Sequence, residues 1–327
     1  MEIKDLAGVS EPLKRLVEVI AEGVGAVTEP YLTKRNADAR AYEIRIISQA
    51  MAESRLLLGG TEYEDGKIKI LRSSQESSEQ LSLPSRAESR QAYQELRKQQ
   101  NIESISANSA QELISENKVS EEKPESEWIN RFFEIAENIS TEDLQYLWGK
   151  ILAGEIQKPG SFSLRTLETL KNMSRQEAEN FCKLGRYVLR LRDMAFYIDP
   201  EQYIFNRENT LGFKEIFALK DAGIVADSDL LNFSFEPCSA GTTSQLLYGS
   251  LIILFEREKD TSKIASKVGV LTKAGAELLK LVSIEPDMEY IQAIAQLFYV
   301  EGMKVAWATV LREEGDYIHL GNKTYLE

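Results

Sequence analysis

Up to about residue 190, apolar positions recur at helical spacing. Ser10 followed by Pro12 suits a cap with proline in the first turn. Leu13, Leu16, Val17, Ile20, Val24 and Val27 then predict one helix face, which "TEP" ends near Pro30. Gly23 and Gly25 weaken this helix. A second helix is predicted over 33–58, with Ile46, Ile47, Met51, Leu57 and Leu58 on its apolar side and "GG" as its stop. The Ser-, Glu- and Gln-rich run "SSQESSEQLSLPSRAES" (73–89) offers too little apolar surface to fold alone and reads as a link. A third helix is predicted over 86–116, through Leu96, Ile102, Ile105, Leu113 and Ile114. A second polar link, "SENKVSEEKPESE", follows it. Long polar helices between links suggest an extended, coiled-coil-like part.

The central segment carries closely spaced boundary signals. In "ISTEDLQYLW", Ser140 stands three residues before Asp143, the spacing of a capping box. Leu144, Leu147, Trp148, Ile151 and Leu152 then share a face, and Trp148 reads as a core anchor. Gly154, Pro159 and Gly160 read as the stop, and Glu155 beside them as a solvated or salt-bridged carboxylate. Ser163 can cap a helix burying Leu164, Leu167 and Leu170. Ser174 and Glu177 form a second capping box, before a helix burying Ala178, Phe181, Leu184 and Val188.

Beyond residue 192 the pattern mixes helix with β-rich runs. "LGFKEIFALKDAGIVADS" predicts a helix and a short strand, "LLYGSLIILFERE" a strand, and "KVGVLTKAGAELLKLV" a strand into a helix capped by Thr272. A helix over about 287–302, a strand at 303–311 and a strand "YIHL" complete the chain. The expected fold is mainly α with a smaller α+β C-terminal part: extended N-terminal helices, a central helical segment and a winged-helix-like C-terminal domain. The corresponding divisions are 1–72, 73–123, 124–192 and 193–327.

Charge changes this picture in one place. The 327-residue chain carries a net charge of −13, so as a whole it repels polyanions and anionic lipid. Segments 1–149 and 193–327 each carry −9, whereas 150–192 carries +5. Arg165, Lys171, Arg175, Lys183, Arg186, Arg190 and Arg192 make up most of this basic island. It is either a solvated face paired with the acidic flanks or a surface that contacts phosphates or a partner. The winged-helix-like order lacks a basic recognition helix, because Glu215 and Asp221 offset Lys214 and Lys220. That shape therefore suits protein contacts as well as DNA.

"LQYLWGKILAGEIQKPGSFSLRTLETLKNMSRQEAENF" resembles the hallmark segment of a bacterial family of unknown function. That hallmark runs Leu-Gln-x-x-Trp-x-x-Ile-Leu-Ala-Gly-Glu, then Pro-Gly-Ser-Phe-Ser and Arg-Thr-Leu. Here it includes Trp148, Gly154, Glu155, Pro159 and Gly160. "VTEPYLTKRNADARA" and "NIESISANSAQEL" fit the same family. More loosely, the segment is similar to abortive-infection alpha-type proteins, which implies a role in phage resistance. The family brings no catalytic residues to transfer.

Candidate chemistry is sparse. A Ser-His-Asp or Cys-His arrangement would have to use His319, which falls in a predicted strand and reads as a surface residue. Cys182 and Cys238 are far apart and fit free thiols in a reducing cytoplasm, with no zinc site. "GVGAVT" and "AGTTSQ" lack the glycine and lysine that nucleotide loops need. A metal-dependent nuclease built from scattered carboxylates stays open. No cofactor, no metal and no transmembrane segment is expected. A membrane-surface role for residues 13–27, suggested by Ala21 and Gly25, is opposed by Glu18, Glu22 and Glu29. The sequence thus points to a cytoplasmic, non-enzymatic interaction protein that binds a protein partner or itself, with a nucleic-acid-binding regulator as the alternative.

Overall fold

The structure, a computed structural model, describes residues 10–25, 61–64, 67–70, 83–116, 119–192, 194–199, 204, 211–227, 231–236, 238–299, 302–314 and 317–326. The helix expected at 33–58, the segment "VTEPYLTKRNADARA", Val27 and most of the first polar link lie outside these residues. The chain divides into two compact units, Met1–Ser161 and Phe162–Glu327.

The first unit is helical. α1 (Glu11–Val24) buries Pro12, Leu16, Val19 and Ile20, with Ser10 extended at its N-cap and Gly25 at its C-cap. β1 (Thr61–Glu64) and β2 (Lys67–Ile70) form an antiparallel hairpin. α2 (Leu83–Leu113) starts inside the run read as a link. It turns Ile102, Ile105, Ser106, Ser109 and Leu113 inward, a stripe at i, i+3, i+4 and i+7. α3 (Ser126–Ala136) buries Trp128, Ile129, Phe132, Phe133, Ile135 and Ala136. The polar linker signal masked this helix, although its own apolar period is strong.

α4 (Glu142–Gln157) crosses α2. Its face is rotated from the expected one: Leu144 is exposed, and Gln145, Trp148, Gly149, Ile151, Leu152, Ala153, Glu155 and Ile156 are buried. A buried amide network explains the rotation. Gln145 Nε2 donates to Asn101 Oδ1 of α2 (3.1 Å) and to the Ile139 carbonyl (2.9 Å), while Asn101 Nδ2 donates to the Glu137 carbonyl (2.8 Å). The Ser140–Asp143 capping box does not form; Thr141 is the N-cap, and Ser140 Oγ accepts from Asn101 instead. Trp148 packs on Phe132, with ring centroids 5.4 Å apart, and Phe132 stacks on Trp128 at 5.1 Å. Gly149 permits the close crossing: a Cβ there would stand 2.6 Å from Asn108 Cβ and 3.0 Å from the Ser109 nitrogen.

The second unit is α+β. α5 (Leu164–Asn172) and α6 (Arg175–Gly185) lead into β3 (Val188–Leu191) and β4 (Met194–Tyr197). α7 (Phe213–Asp221), β5 (Leu231–Phe235), β6 (Thr243–Tyr248), β7 (Leu251–Arg257) and β8 (Ile264–Val270) follow. α8 (Lys273–Leu279), α9 (Met288–Phe298), β9 (Met303–Glu314), β10 (Tyr317–Leu320) and β11 (Thr324–Tyr325) complete the unit. β3 to β11 form one antiparallel sheet in the order β10-β9-β7-β6-β3-β4-β8-β5, with β11 also on β9. The mixed content is as expected. The strands join one sheet of nine, where a winged helix would carry a small hairpin. "LLYGSLIILFERE" is a hairpin, β6 to β7, that turns at Gly249 and Ser250.

β7 explains why the sheet holds two layers of apolar contacts. Alternate residues of a strand face opposite sides, and Leu251 to Phe255 are all buried. Ile252 and Leu254 pack with Ala306 and Ala308 of β9 on one side. On the other, Phe255 meets Phe235 (5.0 Å) and Phe298 (5.8 Å), and the aromatic row continues through Phe233 to Phe196.

Gly149→Ala should lower stability by about 1–3 kcal/mol through overpacking, read as a lower midpoint in urea. Ser109 Oγ is buried in the same crossing without a hydrogen-bond partner. Ser109→Ala should therefore be neutral or stabilising.

Candidate functional site

Residues 158–192 carry the hallmark's second half and most of the basic island, so their scaffolding decides what the island can do. α4 ends at Gln157, with Gly154 inside the helix rather than at its stop. The turn comes at Gly160, with φ at 80°. Glu155 is 2% exposed, and its carboxylate accepts the Gly160 N–H at 2.6 Å. The hallmark glutamate is thus a buried brace of its own loop, not a solvated group.

A second buried carboxylate holds α5. Glu277 of α8 is 5% exposed; it accepts the Ser163 N–H at 2.6 Å and the Thr166 hydroxyl. The Ser163 side chain makes no cap bond of its own and lies 3.0 Å from Thr166 Oγ1. A carboxylate at the first turn of α5 satisfies an otherwise orphaned N–H and favours the helix dipole. The "FSLRTL" and "LTKAGAELL" segments meet here. α8 is itself capped by Thr272, which accepts from the Gly275 N–H (3.1 Å) and donates to the Gly223 carbonyl (2.6 Å). A Cβ on Gly275 would stand 2.3 Å from the Ile224 carbonyl oxygen, so that position needs glycine.

α6 starts at a complete capping box: the Glu177 N–H donates to Ser174 Oγ, and the Ser174 N–H donates to Glu177. At its far end, the Tyr248 hydroxyl donates to the Arg186 carbonyl (2.6 Å) and accepts the Asp287 N–H (2.9 Å). The Tyr290 hydroxyl lies 2.9 Å from the Tyr187 carbonyl and 2.8 Å from the Ile198 carbonyl. Full burial raises its pKa well above the usual tyrosine value, so it stays neutral.

On this frame Arg165, Lys171, Arg175, Lys183 and Arg186 are exposed on α5, α6 and the turn after α6. Arg190 is half-buried within β3, its Cα paired with Ala195 and Leu247. Arg192 is exposed at the β3–β4 turn, with φ at 51°. The structure therefore exposes the cations of α5, of α6 and of the turn after it, and leaves Arg190 within a strand and Arg192 at a strand turn. All four acids of the island are engaged within it. Glu155 and Glu177 hold backbone N–H groups, Glu168 pairs with Lys171 (3.6 Å), and Glu179 pairs with Arg175 (3.0 Å). Arg165, Lys183 and Arg186 have no ion pair among the described residues, so no described acid of the flanks neutralises them. Lys183 and Arg186 also stand at the C-terminal end of α6, where the helix dipole favours cations.

Phe213 and Phe217 of α7, 71% and 58% exposed, were not singled out by sequence. The signal was their i, i+4 spacing to one side of the inward Ile216 and Leu219. His319 is exposed in β10, with its Cα opposite Arg312. Cys182 and Cys238 are free thiols. Among the described residues no group of three or more His, Cys, Asp or Glu could hold a metal ion, and no helix is long and apolar enough to cross a membrane.

A family model described as "Protein of unknown function (DUF2806)" matches residues 85–295, well over half of the chain and nearly all of α2 to α9. No curated protein and no solved structure matches it.

Glu277→Ala should cost about 1–3 kcal/mol, because it removes the carboxylate that accepts the part-buried Ser163 N–H and the buried Thr166 hydroxyl; thermal melts should show the loss. Arg192→Gly should raise stability by about 1 kcal/mol, since a left-handed residue other than glycine carries roughly that strain. The same melts read both variants.

Proposed function

Because the chain belongs to the DUF2806 family of proteins of unknown function, we propose a role read from its surface: it is a cytoplasmic binding protein that docks a polyanion on the basic face of α5 and α6. One observation carries this reading. The acids of the island are consumed by caps and by Lys171 and Arg175, while Arg165, Lys183 and Arg186 stand exposed without ion pairs among the described residues. Cations held by a rigid frame and not neutralised locally are what phosphate binding requires. The net charge of −13 opposes approach at long range, but salt screens it beyond about 10 Å at 0.1 M. Short-range attraction then decides. Nucleic acid is the polyanion, because its phosphate chain offers the repeated charges that several exposed cations can take up together.

A second reading, a protein partner or self-association, is favoured by α2. Its first half leaves Leu83 72% and Tyr93 48% exposed. The looser similarity to abortive-infection proteins would place such an association in phage defence. Plaque counts with and without the gene, together with the oligomeric state in solution, test that reading.

The basic-face reading predicts micromolar binding of mixed-sequence nucleic acid that weakens as salt is added. In the variant Arg165→Ala/Lys183→Ala/Arg186→Ala, the slope of log K against log salt should shrink by roughly one for each phosphate that is no longer neutralised. Fluorescence anisotropy across a salt titration measures it; an unchanged slope would sink the proposal.

A further inference from the structure

The basic face carries phosphates but does not say which nucleic acid supplies them; the neighbouring helix does. α7 packs on α6 and buries Ile216 and Leu219. Its outer side holds Phe213 and Phe217, one turn apart and mostly exposed. Two large aromatic rings facing water on one helix turn are costly apolar surface.

Their surroundings are cationic. Lys214 is exposed between them, and Lys220 Nζ lies 5.6 Å from the Phe217 ring centroid, although Asp227 pairs with it at 3.6 Å, so Lys214 supplies the cation of α7. Glu215 makes no ion pair with Lys214 among the described residues; its carboxylate turns to the start of α7 and accepts the Gly212 N–H at 2.9 Å. Lys183 and Arg186 belong to the packed neighbour, α6 and the turn after it.

We infer that Phe213 and Phe217 are stacking platforms for the bases of single-stranded nucleic acid, whose phosphates lie on Lys214, Lys183 and Arg186. This inference rests on the basic-face reading. A duplex keeps its base faces stacked inside and offers the rings nothing, whereas a single strand offers both π-faces and a phosphate chain. A protein partner would need an apolar socket ringed by acids, and it is the competing occupant.

The test is anisotropy of labelled mixed-sequence single strands of about 15 nucleotides, DNA and RNA, and of the matching duplex. Full-length protein is used, with Phe213→Ala/Phe217→Ala and the triple cation variant beside it. The aromatic variant should lose roughly ten-fold or more in single-strand affinity. Its duplex binding and salt slope should stay unchanged. Phe213→Tyr/Phe217→Trp should restore the affinity. The cation variant should weaken both ligands. Equal binding of single strand and duplex by the wild type, or no effect of removing the rings, overturns the stacking inference and leaves the basic face standing. No binding of either ligand overturns both. A labelled acidic, leucine-rich peptide that binds the wild type and is lost with the rings, in place of the single strand, would assign the surface to a protein.

Discussion

A carboxylate taken out of water must be met by donors, or burial costs more than folding returns. Glu155 and Glu277 obey this constraint in the same way: each accepts a backbone N–H from the Gly160–Ser163 segment. Glu155 closes the loop after α4, and Glu277 fixes the first turn of α5. The placing of α5 in the basic face follows from the second of these bonds. α5 begins where Glu277 holds it, α6 begins shortly after α5 ends, and Tyr248 ties the last turn of α6 to the start of α9. The cations are exposed side chains on a backbone held by these hydrogen bonds.

Local rules read from sequence succeeded where one residue and its near neighbours decide the outcome. The Ser174–Glu177 capping box and the Thr272 cap need only the residues of their own turns. They failed where a distant chain segment decides. Ser140 and Asp143 have capping-box spacing, yet Asn101, remote in sequence, takes up the Ser140 hydroxyl and Thr141 becomes the cap. Leu144 has the apolar character of a core residue, yet the amide network of Gln145 with Asn101 turns it to solvent. Gly154 looked like a stop because glycine is a poor helix former, but helix interiors tolerate one.

The candidate surface shows the same division. The island's composition was legible, because charge sums need no structure. Its availability was not, since that depends on which acids are already committed to caps. Glu277 gave no sequence signal at all: one glutamate in "KAGAELL" is indistinguishable from a solvated helix residue until the start of α5 lies across it. Phe213 and Phe217 were hidden differently. Aromatic residues at helical spacing are usually core, and only the burial of Ile216 and Leu219 shows that α7 faces the other way.

α2 is one helix by geometry and two by thermodynamics. Its last turns, from Asn101 to Leu113, are pressed against α4 and share that crossing's stability. From Pro84 to Gln100 no described side chain is buried, so about 25 Å of helix rests on propensity and surface pairs such as Lys98 with Glu137. Most helical stability in proteins comes from packing of an apolar face, and this stretch buries none. Opening the first half exposes almost no apolar surface, whereas opening the second exposes the α4 crossing, so α2 is a helix whose resistance to unwinding rises along its length.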